Sequence, residues 1–241
     1  MSPIRAVVFD LFGTLVPEFP AALWKDHFRR MAAVLQVDAG RFEDAWRATA
    51  VERQTGRLGD IEDNIRVLCE LIGHEPSPER VAAAVAVRLD VYAATFHPLP
   101  GAEDTLRWLR ERGHPIGLIS MCAPDTPALW RELPLAPYVD EALFSCQVGL
   151  RKPEAEIYRL ACRRLGVAPS ESLFVGDGSY GELSGAAAVG MRAVLIRDPA
   201  EVEGDIHRPE VEVWPGPSIG ALPEVRALLA DPVDQPTSSA G

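Results

Sequence analysis

Three polar residues follow or close apolar runs that have the composition of buried strands. Asp10 follows Ile-Arg-Ala-Val-Val-Phe, Ser120 closes Ile-Gly-Leu-Ile-Ser, and Asp177 ends Leu-Phe-Val-Gly-Asp. In an open parallel sheet, ligands bind just beyond the carboxyl ends of the strands. A carboxylate there can act as a nucleophile or hold a metal, and a hydroxyl can donate to an anionic oxygen. The pattern therefore predicts one site at this edge of a sheet.

A cation for the same site is predicted in Gly-Leu-Arg-Lys-Pro, where Lys152 stands directly before a helix expected over Pro153–Leu165. A lysine fixed at that point could orient a nucleophilic carboxylate and hold an anionic group, with the helix N-terminus adding to its effect. We assign this role to Lys152 and keep Arg151 as the alternative.

A second acid follows Asp177 after a glycine turn, because Glu182 opens the next predicted helix. Asp10, Asp177 and Glu182 would repel one another if they converged without a cation between them. Mg²⁺ needs only a few carboxylates, since it retains several water ligands. The three acids therefore predict a Mg²⁺ site.

The segment Asp-Leu-Phe-Gly-Thr-Leu at Asp10 resembles the first motif of the haloacid dehalogenase superfamily, whose usual form is Asp-x-Asp-Gly-Thr-Leu. Ser120, Lys152, and Gly176-Asp177 with Glu182 match its three further motifs in the family's order. The resemblance extends from residue 4 to about residue 198. Most members are Mg²⁺-dependent phosphatases that work through an aspartyl-phosphate.

The resemblance implies a role for each matching residue. Asp10 would be the nucleophile and Lys152 the second catalytic residue. The metal would bind the carboxylates of Asp10 and Asp177, the carbonyl oxygen of Phe12, and Glu182 directly or through water. The phosphate would be held by Phe12, Gly13, Thr14, Ser120, Met121 and Lys152. The implied partner is a small phosphorylated molecule.

Two positions depart from the family pattern. Phe12 stands where phosphatases carry the acid that protonates the leaving oxygen, and Glu182 stands where Asp is usual. Phenylalanine cannot transfer a proton, so another acid would have to protonate the leaving oxygen. The candidates are Glu18, near the junction between the sheet and a predicted helical cap, and Asp60 or Glu62 within that cap. A 2-haloacid dehalogenase and a non-catalytic binding protein are the alternative functions. Halide leaves without a proton, but dehalogenases of this family need no metal and carry Ser and Asn at the last motif.

Composition narrows the possible partners and the expected cellular compartment. The 241 residues carry a formal charge of −11, which disfavours nucleic acid and anionic membranes as partners. No window approaches the roughly 20 apolar residues of a membrane span, and the N-terminus has no secretory pattern. Four widely spaced cysteines are typical of thiols in a reducing compartment. We expect a cytoplasmic monomer or homodimer.

The order of predicted helices and strands, together with the resemblance, indicates an α/β protein. Its core is expected to be Rossmann-like, with three layers and a central parallel sheet, and to carry an inserted all-α helical-bundle cap of the C1 type. We expect the core over 1–17 and 98–230, the cap over 18–97 and a disordered tail over 231–241. Four amphipathic helices are predicted in the cap, the second beginning near Asp38 and the third at Asp60 as caps. The last has Val81, Val85, Leu89, Tyr92 and Phe96 on one face. Arg57, in a glycine-rich turn between cap helices, could reach an anionic substrate.

From about residue 98 onward, predicted helices and strands alternate. This order demands right-handed crossovers in a parallel sheet. Strands are predicted at Pro115–Ser120, Ala142–Val148, Leu173–Asp177 and Ala193–Arg197, with a last short one at Val211–Trp214. Helices are predicted at Gly101–Arg112, Pro153–Leu165, Glu182–Val189 and Ser218–Leu229.

Overall fold

A computed structural model describes residues 3–19, 21–197, 210 and 213–229. Its centre is a six-stranded, all-parallel sheet in the order β3-β2-β1-β4-β5-β6. The strands are β1 Ala6–Phe9, β2 Ile116–Ser120, β3 Glu141–Phe144, β4 Ser172–Gly176, β5 Arg192–Ile196 and β6 Ser218–Ile219. This is the predicted α/β, Rossmann-like class.

One of the two central strands is β1, which pairs with β2 on one side and β4 on the other. All four of its side chains are fully buried, as its apolar run predicts for a strand covered on both faces. Phe9 pairs with Leu118 of β2 and Val175 of β4. Asp10, Ser120 and Asp177 therefore leave the sheet at one edge, within two residues of a shared register.

Five helices occupy the chain between β1 and β2: α1 Ala21–Leu35, α2 Ala39–Ala48, α3 Ala50–Gln54, α4 Ile61–Leu71 and α5 Pro78–Thr95. Four of them, α1, α2, α4 and α5, share an apolar cluster of their own, separate from those of the sheet. Asp38 and Asp60 cap α2 and α4, as predicted. We call residues 21–95 the helical insertion.

The remaining helices cover the sheet and make its three layers: α6 Ala102–Glu111, α7 Thr126–Glu132, α8 Ser145–Val148, α9 Ala155–Leu165, α10 Glu182–Ala188 and α11 Val225–Leu229. One face packs against α6 and α11, and the other packs against α9 and α10.

The predicted face of α5 is shifted in the structure. Leu89 is 38% exposed, whereas Arg88, one residue earlier, is 2% exposed. Apolar periodicity could not identify this face because α5 packs on both the insertion and the core, and the core supplies a carboxylate for Arg88.

Other predicted elements are also corrected. The strand predicted over Ala142–Val148 ends at Phe144, and its second half is the short helix α8. Val213 and Trp214 are not in a strand, while residues 211–212 lie outside the described part. The last strand is β6, so the helix predicted over Ser218–Leu229 is reduced to α11, preceded by one 3₁₀ turn. The predicted tail, 231–241, lies outside the described residues.

Candidate active site

Asp10 is held by a tight turn that follows β1. Its N–H donates to Val175 O (2.9 Å), which continues the pairing with β4. Gly13 has φ 73°, a left-handed conformation that glycine adopts without strain. Its N–H donates to Val16 O (2.8 Å), and Thr14 Oγ1 lies 3.5 Å from Asp10 Oδ2. The turn therefore brings a hydroxyl back beside the Asp10 carboxylate.

Lys152 lies between two of the predicted acids. Its Nζ donates to Asp10 Oδ1 and to Glu182 Oε2, and all three side chains are buried. Burial alone would lower the pKa of Lys152, but Asp10 and Glu182 outweigh it and raise the pKa, so the ammonium stays charged. Arg151 instead turns to the insertion, where Nη2 donates to Gln54 Oε1 (3.2 Å). The structure thus places Lys152 against Asp10 and Arg151 against the insertion.

Asp177 and Glu182 face the same point from opposite ends of a turn. Ser179 N–H donates to Asp177 Oδ1 (2.9 Å), and Gly178 N–H donates to Glu182 Oε1 (3.1 Å). A Cβ on Gly176 would collide with the Glu182 carboxylate. The glycine before Asp177 therefore gives Glu182 the room to reach the site.

The residues present fit a divalent cation. Asp10, Asp177 and Glu182, which we call the carboxylate cluster, each place one oxygen within 4.8 Å of the others. Burial and mutual repulsion raise the pKa values of Asp10 and Glu182, although Lys152 opposes this. When all are ionised, three negative charges face one lysine. Hard oxygen ligands with two negative charges in excess match the chemistry that Mg²⁺ requires.

Ser120 is the last residue of β2 and Met121 follows it, at the same edge of the sheet as this cluster. Ser120 Oγ is fully buried, and among the described residues it has no nitrogen or oxygen partner, although the Cys122 thiol lies next to it. A buried hydroxyl with unused capacity is costly unless a ligand satisfies it. Ser120 is therefore able to donate to a bound anion.

Phe12 has no group that can transfer a proton, and its ring lies in an aromatic cluster. Its ring centroid lies 5.8 Å from that of Phe96, 6.2 Å from Phe19 and 6.4 Å from Tyr92. Phe19 and Tyr92 meet edge to face at 4.7 Å. Phe19 and Phe96 lie where the chain enters and leaves the helical insertion. We call Phe12, Phe19, Tyr92 and Phe96 the junction cluster.

Of the three acids considered as substitutes at Phe12, two are occupied elsewhere. Asp60 is exposed and caps α4 by accepting from Asp63 N–H (3.0 Å), and Glu62 is half-buried and pairs with Arg66 (2.9 Å). Glu18 is half-buried and interacts electrostatically with Tyr180, as do Asp10 and Lys152. Glu18 is therefore the acid of the three that the structure associates with the site.

A second group of buried charges joins the insertion to the core. Arg88 of α5 forms a two-contact ion pair with Asp125, and its Nη2 donates to Tyr92 Oη (3.0 Å). Arg88 Nη1 lies 3.5 Å from His27 Nε2, which accepts if His27 is neutral. Burial, with Arg88 beside it, lowers the pKa of His27 to about 3. We call Arg88 and Asp125 the interface pair.

Arg53 adds a further buried cation to this region. Its guanidinium lies 3.8 Å from the ring centroid of Trp46, and it donates to Trp46 O (2.6 Å). Burial and Arg88 lower its pKa to about 9. Among the described residues, no carboxylate lies within ion-pairing distance of Arg53. Arg57, the arginine that sequence singled out, lies on an exposed turn.

Sequence reasoning missed Tyr180, Arg53 and the interface pair. Tyr180 adopts φ 55°, a left-handed conformation in a residue other than glycine, between Asp177 and Glu182. The glycines on either side of the pair Ser179-Tyr180 were the available signal for an unusual turn. The interface pair gives no local signal, because its two residues are 37 positions apart.

Comparisons with known proteins find similar phosphatases and dehalogenases. The chain is 30% identical over 220 residues to glyceraldehyde 3-phosphate phosphatase of Methanopyrus kandleri, covering 87% of this chain and 93% of the relative. In fold it is similar to a 2-haloacid dehalogenase from Pseudomonas syringae (TM-score 0.66, 22% identity, 94% and 98% coverage). It is also similar to a phosphatase from Thermococcus onnurineus (TM-score 0.63, 24% identity, 94% and 98% coverage).

None of the helices in the described part of the chain combines the length and apolar character that a bilayer crossing requires.

The family model of the haloacid dehalogenase-like hydrolases matches residues 4–190, a span that includes the insertion and every residue of the carboxylate cluster. The chain belongs to this family of hydrolases.

Proposed function

We propose that this hydrolase is a Mg²⁺-dependent phosphatase that acts on a small phosphorylated metabolite through an aspartyl-phosphate on Asp10. The observation that carries the proposal is the carboxylate cluster, in which a buried nucleophile candidate is bonded to a charged lysine beside two further acids. The relatedness to glyceraldehyde 3-phosphate phosphatase of Methanopyrus kandleri supports the same class of substrate.

In the first step, an oxygen of Asp10 attacks phosphorus and the bond to the leaving oxygen breaks. Lys152 holds the carboxylate in position and offsets the charge of the phosphoryl group. Thr14 and Ser120 donate hydrogen bonds to phosphoryl oxygens. In the second step, water attacks the aspartyl-phosphate, which releases inorganic phosphate and restores Asp10.

Asp10, Asp177 and the Phe12 carbonyl would hold Mg²⁺ directly. Both oxygens of Glu182 already accept hydrogen bonds, from Lys152 and Gly178, so Glu182 would act through a water ligand. When bound, the ion offsets the excess negative charge and polarises the phosphoryl group.

An anionic substrate must approach a protein whose net charge is −11. Lys152 at the sheet edge and Arg53 in the insertion are the buried cations that supply a local attraction. We propose that residues 18–97 act as a C1-type cap, which closes over the site and excludes water from the acyl-phosphate. The crossings between the modules, at residues 17–20 and 97–100, would be its hinges.

The test compares four conditions. Purified protein is given p-nitrophenyl phosphate with Mg²⁺, the same substrate with EDTA, and 2-chloropropionate with and without Mg²⁺. We expect phosphate release with Mg²⁺ alone, and less than a few percent of it in Asp10→Asn, which has no nucleophilic oxygen. A panel of small phosphate esters then identifies the metabolite.

Each other outcome selects a different function. Halide release without metal would identify a dehalogenase, for which an aromatic residue at position 12 is acceptable chemistry. Absence of both activities, in a protein that still binds Mg²⁺ by calorimetry, would identify a non-catalytic binding protein. Full activity in Asp10→Asn would contradict the covalent mechanism.

A further inference from the structure

Two of the four cysteines lie side by side near the site. Cys122 follows β2 by two residues, and Cys146 follows β3 by two residues, in strands where Ser120 pairs with Phe144. Their Sγ atoms are 3.8 Å apart, and Cys122 N–H donates to Ser145 Oγ (3.0 Å). The other two cysteines lie in separate apolar clusters, Cys69 in the insertion and Cys162 on the buried face of α9.

The two thiols differ in exposure and acidity. Cys122 is 5% exposed, and burial raises its pKa well above the ordinary value. Cys146 is half-buried, and the hydrogen bond from Cys122 lowers its pKa despite burial and the nearby charge of Asp125. Cys146 is therefore the thiol that ionises first, with Cys122 as its donor, which is the arrangement of an attacking and a resolving cysteine.

We propose that Cys122 and Cys146 form an oxidisable dithiol pair, which a peroxide converts to a disulfide that slows turnover at Asp10. The proposal rests on the proposed function only for its activity readout, since the bond itself is measured without a substrate.

The chemistry balances with one molecule of hydrogen peroxide. The Cys146 thiolate attacks a peroxide oxygen, the O–O bond breaks, and a sulfenic acid forms as hydroxide leaves and takes up a proton. The Cys122 sulfur then attacks the sulfenic sulfur, the S–O bond breaks, and water leaves with the Cys122 proton. Two thiols are oxidised, and one peroxide is reduced to two waters.

Disulfide formation would move both partners of the pair. The sulfurs must approach from 3.8 Å to about 2.05 Å. Cys122 lies two residues after Ser120, whose hydroxyl the proposed mechanism uses to bind phosphate. The Cys146 carbonyl is in close contact with Gly56 of the insertion, where a Cβ would collide with it. The movement therefore reaches the end of β2, where Ser120 lies, and a contact between the insertion and the core.

The experiment treats the full chain with hydrogen peroxide and measures free thiols after denaturation, intact mass and turnover of p-nitrophenyl phosphate. We expect free thiols to fall from four to two, the mass to fall by two hydrogens, and turnover to fall about 10-fold or more, because a 1 Å misplacement can cost about 100-fold. Dithiothreitol should restore all three.

Cys146→Ser is the decisive variant, because position 146 is half-buried and a hydroxyl keeps its hydrogen bond. It should retain basal turnover and lose the reversible inhibition, whereas Cys69→Ser should behave as the wild type. Four remaining thiols, a sulfinic acid without a disulfide, or equal reversible inhibition in Cys146→Ser would each overturn the proposal. If the wild type has no phosphatase activity but forms the disulfide, only the proposed function fails.

Discussion

The carboxylate cluster and the interface pair are both buried, yet they differ in charge balance. The carboxylate cluster sets three acids against Lys152, which leaves two negative charges in excess. The interface pair matches Arg88 with Asp125 one to one, beside a His27 that is neutral at ordinary pH. Burial of unbalanced charge is costly, so the first arrangement favours a further cation or a bound proton and the second does not. This difference is the one expected between a site that binds a ligand and a contact that holds the helical insertion on the core.

Removing one charge from each region should therefore have opposite effects on stability. Asp177→Asn keeps an oxygen for Ser179 N–H but removes one of the repelling charges. We expect turnover with Mg²⁺ to fall by roughly 100-fold or more, as for loss of a metal ligand, and Mg²⁺ affinity by calorimetry to fall with it. In EDTA, the same variant should be more stable than wild type by about 0.5–2 kcal/mol in urea unfolding.

Glu182→Gln is the matched control for that variant. It should weaken Mg²⁺ binding less than Asp177→Asn, because Glu182 acts through water in the proposed site. Equal Mg²⁺ affinity in wild type and both variants would place the metal elsewhere and remove the distinction between the two regions.

Breaking the interface pair should destabilise the protein strongly. Arg88→Met leaves Asp125 buried without its partner, so we expect the free energy of unfolding to fall by about 3–5 kcal/mol. The double variant Arg88→Met with Asp125→Leu should recover most of that loss. Urea unfolding in EDTA measures both.

The surface pair between Arg30 and Asp90 supplies the control for the interface pair. Its side chains are 43% and 68% exposed, so Arg30→Met should cost less than about 1 kcal/mol. A similar cost for Arg88→Met and Arg30→Met would show that the buried pair holds nothing together.

Phe12 connects the two regions, because its ring contacts Tyr92, which Arg88 binds. Phe12→Asp restores an acid where phosphatases of this family carry one, but removes the ring from the junction cluster. We expect about a 10-fold gain on alkyl phosphates and a loss of roughly 1–3 kcal/mol in stability. Turnover is compared on sugar phosphates and on p-nitrophenyl phosphate, whose leaving group needs no acid.

Phe12→Asn isolates the proton from the packing, because it loses the same ring without gaining an acid. It should lose as much stability as Phe12→Asp and gain no rate. Fast wild-type turnover of alkyl phosphates, lost in Glu18→Gln, would instead assign the proton to Glu18.

The two regions should also respond to pH with opposite sign. The raised pKa values of Asp10 and Glu182 mean that the folded protein binds protons that the unfolded chain has released, so metal-free stability falls as pH rises from the ordinary carboxyl range towards the raised values. The lowered pKa of His27 acts in reverse, and stability falls as pH drops from 6.5 towards about 3.

Thermal midpoints against pH, in EDTA and in Mg²⁺, separate these contributions. In His27→Gln with EDTA, the midpoint should decline as pH rises through the weakly acidic range, and Mg²⁺ should reduce that decline. A midpoint that rises with pH in that variant would mean that the carboxylate cluster is not destabilised by its own charge.

The regular elements could be predicted from sequence because each has a local cause. The apolar run of β1 and the caps at Asp38 and Asp60 are local signals, and they indicated the strand and two helix starts that the structure contains. Asp10, Ser120 and Asp177 were predicted to lie together for a related reason: parallel strands end at one edge of a sheet, so residues at the strand ends are close there. Lys152 was assigned from its position directly before a predicted helix.

What sequence could not give depends on contacts between distant segments. Arg88 has the same helical neighbours whether it faces solvent or Asp125, so only the packing of α5 on the core decides its burial. The end of β3 at Phe144 is similar, because Ser145 turns away to bond the loop after β2. Position 12 was recognised as unusual, but its aromatic partners come from both crossings to the insertion.

The space above Gly176 constrains the order in which this site can change over evolutionary time. The Glu182 carboxylate fills the volume that a side chain at 176 would need, and the Phe174 ring edge is the next obstacle at 2.9 Å. Shortening Glu182 to Asp is compatible with Gly176 at any time, whereas a side chain at 176 is blocked while glutamate remains. The two positions therefore form a one-way mutational path, in which the longer acid keeps its own glycine under selection.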